Sequence, residues 1–143
     1  MCSSDLLTIR RLLEEQPVIR VVDDQRGRPT SAQHLVQVSQ ALLLAGARGT
    51  WHATDGQDCT WYEFACEIAD RLGSAGSVEP CTSEEFSRPA RRPAYSVLDI
   101  SATESLVGPM PPWRVNLGTV LAQLNQRAKG VATGLDTPGE TRL

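Results

Sequence analysis

Side chains that could bind a ligand are concentrated in residues 21–30, VVDDQRGRPT, which directly follow a short apolar segment. Five of the six positions from 23 to 28 carry hydrogen-bonding side chains: Asp23, Asp24, Gln25, Arg26 and Arg28. In α/β proteins, ligands bind where a strand ends in a polar loop that leads into a helix. The segment is therefore a candidate binding site. The alternative is a surface loop whose aspartates pair with its own arginines.

Residues 87–93, SRPARRP, form a second basic segment, in which prolines favour an extended backbone. Its three arginines are Arg88, Arg91 and Arg92. The planar guanidinium of arginine matches the oxygens of a phosphate group. Two such loops that converge would therefore bind a small diphosphate more readily than a polymer. The alternative is a solvated loop that pairs with the glutamates of residues 79–85.

No recognisable catalytic or cofactor motif accompanies these loops. The chain has no glycine-rich dinucleotide fingerprint, no Walker loop and no GxSxG nucleophile elbow. Neither tyrosine begins a Tyr-x-x-x-Lys pair, since Tyr62 is followed four positions on by Cys66 and Tyr95 by Asp99. In such a pair the lysine lowers the tyrosine pKa for proton donation to a carbonyl. We therefore assign no catalytic and no cofactor-binding residue to this chain.

The histidines and cysteines do not form a metal-site pattern. The four cysteines are Cys2, Cys59, Cys66 and Cys81, and none of them belongs to a CxxC pair. This spacing fits a zinc site poorly, and we expect the thiols to be reduced. His34, near the start of a predicted helix, is expected to be a surface residue. His52 is expected to be a packed imidazole with one hydrogen-bonded nitrogen. No metal-ligating residue is assigned.

Size and composition are those of one globular domain. The chain has 143 residues, of which 41% are hydrophobic and 22% charged. A net charge of −3 argues against a nucleic-acid partner, because no broad basic surface is available. No segment approaches the roughly 18 apolar residues that would cross a bilayer, and the start shows no secretory signal. We expect a cytoplasmic protein without a membrane partner.

Hydrophobic periodicity predicts alternating helices and strands, and hence an α/β fold with three or four short strands. The predicted strands cover residues 18–22, 50–54, 78–81 and 95–99. The predicted helices cover residues 6–16 and 31–45, and the segments that follow Thr60, Thr82, Ser101 and Pro112.

Capping residues set the expected ends of these helices. Four helices are expected to begin at a polar residue that is paired with a second one three positions on: Thr30 with Gln33, Thr60 with Glu63, Thr82 with Glu85, and Ser101 with Glu104. Three helices are expected to end at a glycine: Gly46, Gly73 and Gly108.

Four segments, in this order, resemble one family: VVDDQRGRPTSAQHLV, GTWHATDGQDCTWYEFACEIADRL, RPARRPAYSVLDIS and PPWRVNL. They are similar to the C-terminal, substrate-binding half of the dTDP-4-dehydrorhamnose reductases, which are extended short-chain dehydrogenases/reductases. The similarity runs from about residue 7 to residue 124. It implies an incomplete C-terminal part of a Rossmann-type α/β fold, with helices packed around few short strands.

The resemblance also implies an activity that this chain would share only as part of a larger enzyme. The family reduces dTDP-4-dehydro-L-rhamnose to dTDP-L-rhamnose with NADH or NADPH, in the synthesis of surface polysaccharides. Its N-terminal Rossmann half binds the cofactor and supplies the proton donor, and that half has no counterpart in this sequence. We therefore expect a fragment that binds the dTDP-sugar, belongs with the missing half and has no reductase activity alone. A homodimer of the full-length enzyme is a further expectation.

Three ranges follow from this interpretation. Residues 1–6 are expected to be a non-native leader, because MCSSDL can be encoded by the end of a common sequencing adapter. Residues 7–127 would be the substrate-binding part. Residues 128–143 lack an apolar pattern and are expected to be a disordered tail.

On the same resemblance, Arg28 and Arg92 are the candidates for binding the substrate diphosphate, with Gln25, Thr30 and Tyr95 nearby. Two other functions remain open. One is a stand-alone, non-catalytic binding or regulatory module. The other is part of a reductase or epimerase that acts on a different nucleotide sugar.

Overall fold

The computed structural model describes residues 3–85 and 92–133. Within these ranges the elements are α1 (Ser3–Glu15), β1 (Val18–Val22), β2 (Arg26–Gly27), α2 (Ala32–Leu44), β3 (Cys59–Thr60), α3 (Trp61–Leu72), β4 (Ser77–Cys81), a 3-10 turn (Ser83–Glu85), α4 (Ser101–Val107) and α5 (Trp113–Thr133). Helices around few short strands confirm the predicted α/β class.

The strands form two separate ladders within the described residues. β1 and β4 pair in parallel, with Val18 opposite Ser77 and Val22 opposite Cys81. β2 and β3 pair antiparallel through the two residues of each strand. Because β1 and β4 are parallel, their carboxyl ends meet at one edge, where the Asp23 backbone N–H donates to the Cys81 carbonyl at 3.0 Å. The polar loop after β1 therefore lies beside the 3-10 turn after β4.

The main hydrophobic core lies where α1, α3 and α5 pack against β1. Its centre is Trp113 at the start of α5, which is 1% exposed and lies edge-on to Phe64 of α3 with ring centroids 5.5 Å apart. Such edge-to-face pairs add about 0.5–1.5 kcal/mol beyond the area that they bury. The other buried members are Leu6, Ile9, Leu13, Ile19, Cys59, Ala65, Ile68, Leu117 and Leu121.

A second, smaller core joins α2 to α4. It contains Val38 and Leu42 of α2, Ile100 at the start of α4, and Met110 in the segment before α5. Residues 50–58 run between α2 and α3 and contribute Trp51 and Ala53 to this core.

α3 forms as the sequence predicts, because its signals are local. The Thr60 hydroxyl accepts from the Glu63 backbone N–H at 3.1 Å, and the Glu63 carboxylate accepts from the Thr60 N–H at 2.8 Å. This capping box satisfies two backbone donors at the helix start. Gly73 ends the helix in the left-handed conformation, with φ 59°, which a residue without a Cβ adopts at little cost.

Two predicted helix caps are wrong. The N-cap of α2 is Ser31, not Thr30, because the Ser31 hydroxyl accepts the His34 backbone N–H. The N-cap of α4 is Ile100, which makes no side-chain capping bond, and the Ser101 N–H instead donates to the Asp99 carboxylate at 2.9 Å. In both places a neighbouring polar side chain takes the position that the sequence pattern assigns to another residue.

Two predicted strands are also wrong. Residues 50–54 form no strand, since no strand pairs with them in the described part of the chain, and the Thr103 hydroxyl donates to the His52 carbonyl at 2.7 Å. Residues 95–99 form no strand either, and only Tyr95 makes an isolated bridge, to Arg26. The strand predicted at residues 78–81 is confirmed as β4.

α5 continues through Thr133, into the range for which a disordered tail is predicted. Residues 134–143, the rest of that range, lie outside the described residues. α1 begins at Ser3, and Leu6 is 6% exposed, so part of the range predicted as a leader is helical. Among the helices that the structure describes, none has the length and apolar content needed to cross a bilayer.

Burial makes one thiol unreactive in the folded chain. It raises the pKa of the Cys59 thiol to about 12 from an ordinary value of 9.0, so the reactive thiolate is about a thousandfold scarcer at neutral pH. We expect iodoacetamide to label half-buried Cys66 much faster than Cys59, which peptide mass spectrometry after timed quenching would measure. Equal labelling rates in the native chain would contradict this burial, and urea should remove the difference.

Candidate functional site

The two aspartates after β1 hold the candidate binding loop in place. The Thr60 hydroxyl donates to Asp23 Oδ1 at 2.6 Å, which joins the loop to the start of α3. Asp24 accepts from both the backbone N–H and the hydroxyl of Ser83, at 2.8 and 2.6 Å. These bonds lower the pKa of Asp24. The alternative in which these aspartates pair with the loop's own arginines is therefore wrong.

Gln25, a predicted substrate-binding residue, is also engaged by the 3-10 turn. Its Nε2 donates to the Ser83 hydroxyl at 2.6 Å. The Ser83 hydroxyl thus accepts from Gln25 and donates to Asp24. The side-chain carbonyl of Gln25 has no partner among the described residues. Gln25 is half-buried.

Arg26 joins the loop after β1 to the residues that follow the second basic segment. Its backbone N–H donates to the Ala94 carbonyl at 2.7 Å, and its carbonyl accepts from the Ser96 N–H at 2.9 Å. Its side chain pairs with Asp58 at 2.5 Å and with Glu63 at 3.6 Å. Ala94 and Ser96, which follow the second basic segment, therefore lie against β2 at Arg26. Arg26 is two positions before Arg28 in the sequence.

Arg28 has a different environment from Arg26. It is half-buried, and its Nε and Nη1 are shielded from solvent without a hydrogen-bond partner among the described residues. The pKa of Asp58 is lowered mainly by Arg26, and that of Asp99 mainly by hydrogen bonds from Ser101. The positive charge of Arg28 makes a small further contribution to lowering both pKa values. A buried donor that is left unpaired costs about 1–3 kcal/mol, and more when it is charged.

Thr30 contributes to the backbone geometry of the same loop. Its hydroxyl donates to the Arg28 carbonyl at 3.2 Å and accepts from the Asp55 N–H at 3.4 Å. It does not cap α2, but it links the Arg28 backbone to the segment that precedes α3.

Asp55 and His34 are the residues that the sequence interpretation missed. Asp55 is 1% exposed, and its Oδ2 accepts from the Ser31 N–H at 3.1 Å while its Oδ1 lies 2.6 Å from His34 Nδ1. The prediction that His34 is a surface residue is wrong, since its side chain is 12% exposed. An aspartate before a glycine signals only a turn, so no sequence pattern indicated a buried pair.

Tyr95 and Arg92 lie on the exposed side of this region. Tyr95 is 66% exposed, and Arg92 is also exposed. Neither side chain makes a hydrogen bond to the described part of the chain, although the Tyr95 backbone bridges to Arg26. Arg88 and Arg91 lie outside the described residues. The structure thus places residues 94–96, which follow the second basic segment, against β2.

The Arg26–Asp58 pair predicts a pH dependence of stability. The hydrogen bond from Arg26 lowers the Asp58 pKa below its ordinary 3.8, so the pair contributes above that pH and is lost as the pH falls through the lowered value. Since both side chains are about a third or more exposed, we expect Arg26→Gln to lower the free energy of unfolding by only about 0.5 kcal/mol at pH 7. Urea denaturation should give a difference that is constant above about pH 5 and shrinks below about pH 4.

A matched control for this measurement is Arg48→Gln. Arg48 is exposed and makes no ion pair within the described residues. Two results would show that Asp58 is not the titrating partner. One is an equal loss of the free energy of unfolding in Arg26→Gln and Arg48→Gln. The other is a loss in Arg26→Gln that becomes larger as the pH falls.

A family model for the RmlD substrate binding domain matches residues 4–126. This chain belongs to that family. The predicted resemblance is confirmed, and the matched range includes β1 to α4, the binding segments and most of α5.

Relatives of this RmlD substrate-binding domain carry reductase names. A dTDP-4-dehydrorhamnose reductase from Streptomyces griseus is 38% identical over 125 residues, which cover 82% of this chain and 41% of the relative. A dTDP-4-keto-6-deoxy-D-glucose reductase from Streptomyces niveus is 35% identical over 117 residues, 80% of this chain and 41% of that protein. The chain spans about two fifths of the length of these relatives.

A crystal structure with the same fold is that of a dTDP-4-dehydrorhamnose reductase from Bacillus anthracis in complex with NADP. It is 32% identical and superposes with a TM-score of 0.77, covering 82% of this chain and 42% of that one. This likeness confirms the prediction of a partial Rossmann-type reductase fold.

The described residues do not fit a nicotinamide dinucleotide. Such a cofactor places its pyrophosphate on a glycine-rich turn between a strand and a helix. In this domain the loops after the parallel strands carry acids instead, Asp23 and Asp24 after β1 and Glu84 and Glu85 after β4. Neither loop carries a glycine-rich turn of this kind, so no residue of these loops is assigned to NADP.

Proposed function

We propose that this RmlD substrate-binding domain forms the nucleotide-sugar side of an NAD(P)H-dependent dTDP-4-dehydrorhamnose reductase. The enzyme would reduce the 4-keto group of dTDP-4-dehydro-L-rhamnose to give dTDP-L-rhamnose in the cytoplasm. Membership of the family and the names of the relatives support this proposal. Hydride and proton transfer would belong to a cofactor-binding part, for which this domain supplies no described residue.

The observation that carries the proposal is the environment of the half-buried Arg28 guanidinium. Two of its donor nitrogens, Nε and Nη1, are shielded from solvent and have no partner among the described residues, in a loop that follows a strand and precedes a helix. A diphosphate would satisfy both donors and neutralise the charge, since guanidinium and phosphate form short, bidentate hydrogen bonds. Arg26 is already held by two carboxylates and is therefore not the equivalent candidate.

Four other residues would complete the nucleotide-sugar side of the cleft. Exposed Arg92 would add a second cation for the diphosphate, and the exposed ring of Tyr95 would offer a hydroxyl and a stacking face. The Gln25 side-chain carbonyl is an acceptor for a sugar or base donor. Thr30 would act by holding the Arg28 backbone. In the complete enzyme, these residues would face the cofactor-binding half, and the enzyme would form a homodimer.

A second candidate is a reductase for another dTDP-sugar. The Streptomyces niveus relative, named for a different 4-keto sugar, is almost as similar as the Streptomyces griseus one. The two candidates share the dTDP group and differ only in the sugar. The relative affinity of the chain for dTDP-4-dehydro-L-rhamnose and for dTDP-4-keto-6-deoxy-D-glucose distinguishes them.

The proposal is tested by measuring the binding of dTDP, with thymidine as the ligand that lacks the diphosphate, by NMR titration of the 143-residue chain. We expect saturable binding of dTDP with a Kd on the order of 1 mM and much weaker binding of thymidine. Arg28→Gln should weaken the binding of dTDP, whereas Arg48→Gln, at an exposed arginine outside the loop, should not.

Two results would overturn the proposal. One is the absence of saturable dTDP binding to a chain that is folded in the same sample. The other is equal affinity for dTDP and thymidine, since the diphosphate would then contribute nothing. A preference for dTDP that survives Arg28→Gln would remove Arg28 from the site.

A further inference from the structure

Asp55 and His34 form a buried polar pair beside the Arg28 loop. The Asp55 side chain is 2% exposed and that of His34 12%, with 2.6 Å between Oδ1 and Nδ1. A carboxylate offers only acceptors, so Nδ1 carries the proton of this hydrogen bond. Burying a carboxylate is costly unless it is fully hydrogen-bonded, and here the Ser31 N–H satisfies the second oxygen at 3.1 Å.

The pair is connected to Arg28 through a short series of hydrogen bonds. The Asp55 backbone N–H donates to the Thr30 hydroxyl at 3.4 Å, and that hydroxyl donates to the Arg28 carbonyl at 3.2 Å. The Asp55 carboxylate also holds the backbone of Ser31, the residue after Thr30. Asp55 therefore holds Thr30 and Ser31 directly and Arg28 through Thr30, and His34 fixes the orientation of the Asp55 carboxylate.

On its N-terminal side the Arg28 backbone continues from β2, which pairs with β3. Pro29 is buried, but the Arg28 guanidinium has no hydrogen bond from the described residues that would hold it in place. The direction of that side chain is consequently determined by the backbone from which it starts. A displacement of about 1 Å at such a group is enough to weaken its interactions strongly.

We propose that Asp55 and His34 are positioning residues that hold the Arg28 guanidinium in place to bind a diphosphate. This inference rests on the proposed function, since it concerns the same site. His34 and Asp55 touch no part of the ligand: they act through Thr30 and the Arg28 backbone.

The test compares His34 variants in the 143-residue chain. His34→Leu removes the donor to Asp55, whereas His34→Asn places an amide N–H close to the position of Nδ1. We expect His34→Leu to raise the Kd for dTDP about tenfold and to leave thymidine binding unchanged, and His34→Asn to restore most of the affinity. Gln40→Leu, at an exposed position on the same helix, is the matched control and should bind dTDP as wild type does.

An NMR measurement without ligand reports directly on the order of the Arg28 side chain. The Arg28 Nε–H signal in a ¹⁵N correlation spectrum, assigned by its loss in Arg28→Lys, should be sharp in wild type and His34→Asn. In His34→Leu it should be broadened or lost by exchange with water. If His34→Leu does not fold, His34→Gln replaces it, because its amide lies one bond farther from the backbone and cannot reproduce the geometry.

The outcomes separate this inference from the proposed function. Absence of dTDP binding to wild type would overturn the proposed function, and this inference with it. Normal dTDP binding and an unchanged Arg28 signal in His34→Leu would overturn the positioning role alone. Equal loss of dTDP and thymidine binding in a folded His34→Leu chain would also overturn it, because a positioning role acts on the diphosphate only.

Discussion

Gly56→Ala is expected to lower the free energy of unfolding of this domain by about 3 kcal/mol. The reason is the close approach of two backbones. The Gly56 N–H donates to the Pro111 carbonyl at 2.8 Å, and the Gly56 carbonyl accepts from the Trp113 N–H at 3.0 Å. A Cβ at residue 56 would overlap the Met110 carbonyl oxygen and lie 3.3 Å from the Pro111 oxygen. Backbone atoms cannot move aside as the end of a flexible side chain can.

This clash would affect both hydrophobic cores. Met110 belongs to the core between α2 and α4, and Trp113 is the largest fully buried side chain of the main core. Separation of residue 56 from residues 110–113 would loosen both at once. Urea denaturation followed by tryptophan fluorescence would measure the loss, and a fully unfolded variant would agree with the expectation.

The control for Gly56 is Gly46→Ala. Gly46 has φ 70° and no atom within 4 Å of the position that a Cβ would take, so its substitution strains the backbone without a clash. We expect a loss of about 1 kcal/mol there. If the two variants lose equal stability, the close approach at Gly56 contributes no more than ordinary backbone strain, and the expectation is wrong.

The elements that could be predicted from the sequence are those with local causes. The capping box at Thr60 and Glu63 and the terminating Gly73 define α3 within one helical turn at each end. The apolar spacing of α1 and α5 likewise identifies their buried faces. Each of these signals acts over three or four residues, which is the distance over which a helix satisfies its own backbone.

The elements that could not be predicted depend on distant partners. Residues 50–54 have strand-like composition, but no strand lies beside them in the described part of the chain, and Thr103 and Asp99 bond to His52 instead. β1 is a strand because β4, which begins at Ser77, pairs with it in register. A strand requires a partner, and the sequence of a single segment does not contain that information.

The candidate site divides in the same way. The clustering of polar residues in the Arg28 loop was visible in the sequence, as was the family to which the four segments belong. The sequence did not show how Arg26 and Arg28 differ. Arg26 pairs with Asp58, whereas Nε and Nη1 of Arg28 are buried without a partner among the described residues. This difference depends on residues that are distant in the sequence. The same is true of Asp55 and His34, which are 21 positions apart.

Asp55 and Gly56 are adjacent but serve different purposes. The Asp55 side chain holds the loop that carries Arg28, while the Gly56 backbone holds the start of α5. A single turn thus connects the proposed binding residues to both cores. We therefore expect substitutions in this turn to affect ligand binding and stability together, whereas substitutions at Arg28 should separate the two.

Arg28→Met is expected to have opposite effects on stability and on binding. Methionine fills a similar volume without donors, so the cost of the two donor nitrogens that have no partner among the described residues disappears. The loss of weak attraction to Asp58 and Asp99 offsets only part of this gain. We expect the free energy of unfolding to rise by about 1 kcal/mol, and saturable binding of dTDP to be lost, since charge-assisted bonds to phosphate are lost. Urea denaturation and dTDP titration of the same samples measure both.

The comparison with Arg28→Lys identifies the cause of these effects. Lysine keeps the charge but not the planar pair of donors, so its chain should bind dTDP with intermediate affinity and gain no stability. Opposite effects on stability and on binding are expected of a residue that binds a ligand through donors that lack a partner in the free domain. Those donors destabilise the free domain, and the ligand satisfies them. If Arg28→Met is less stable than wild type and binds dTDP equally well, Arg28 has a structural role only. Its buried donors must then be satisfied within the protein, and the diphosphate site must lie elsewhere.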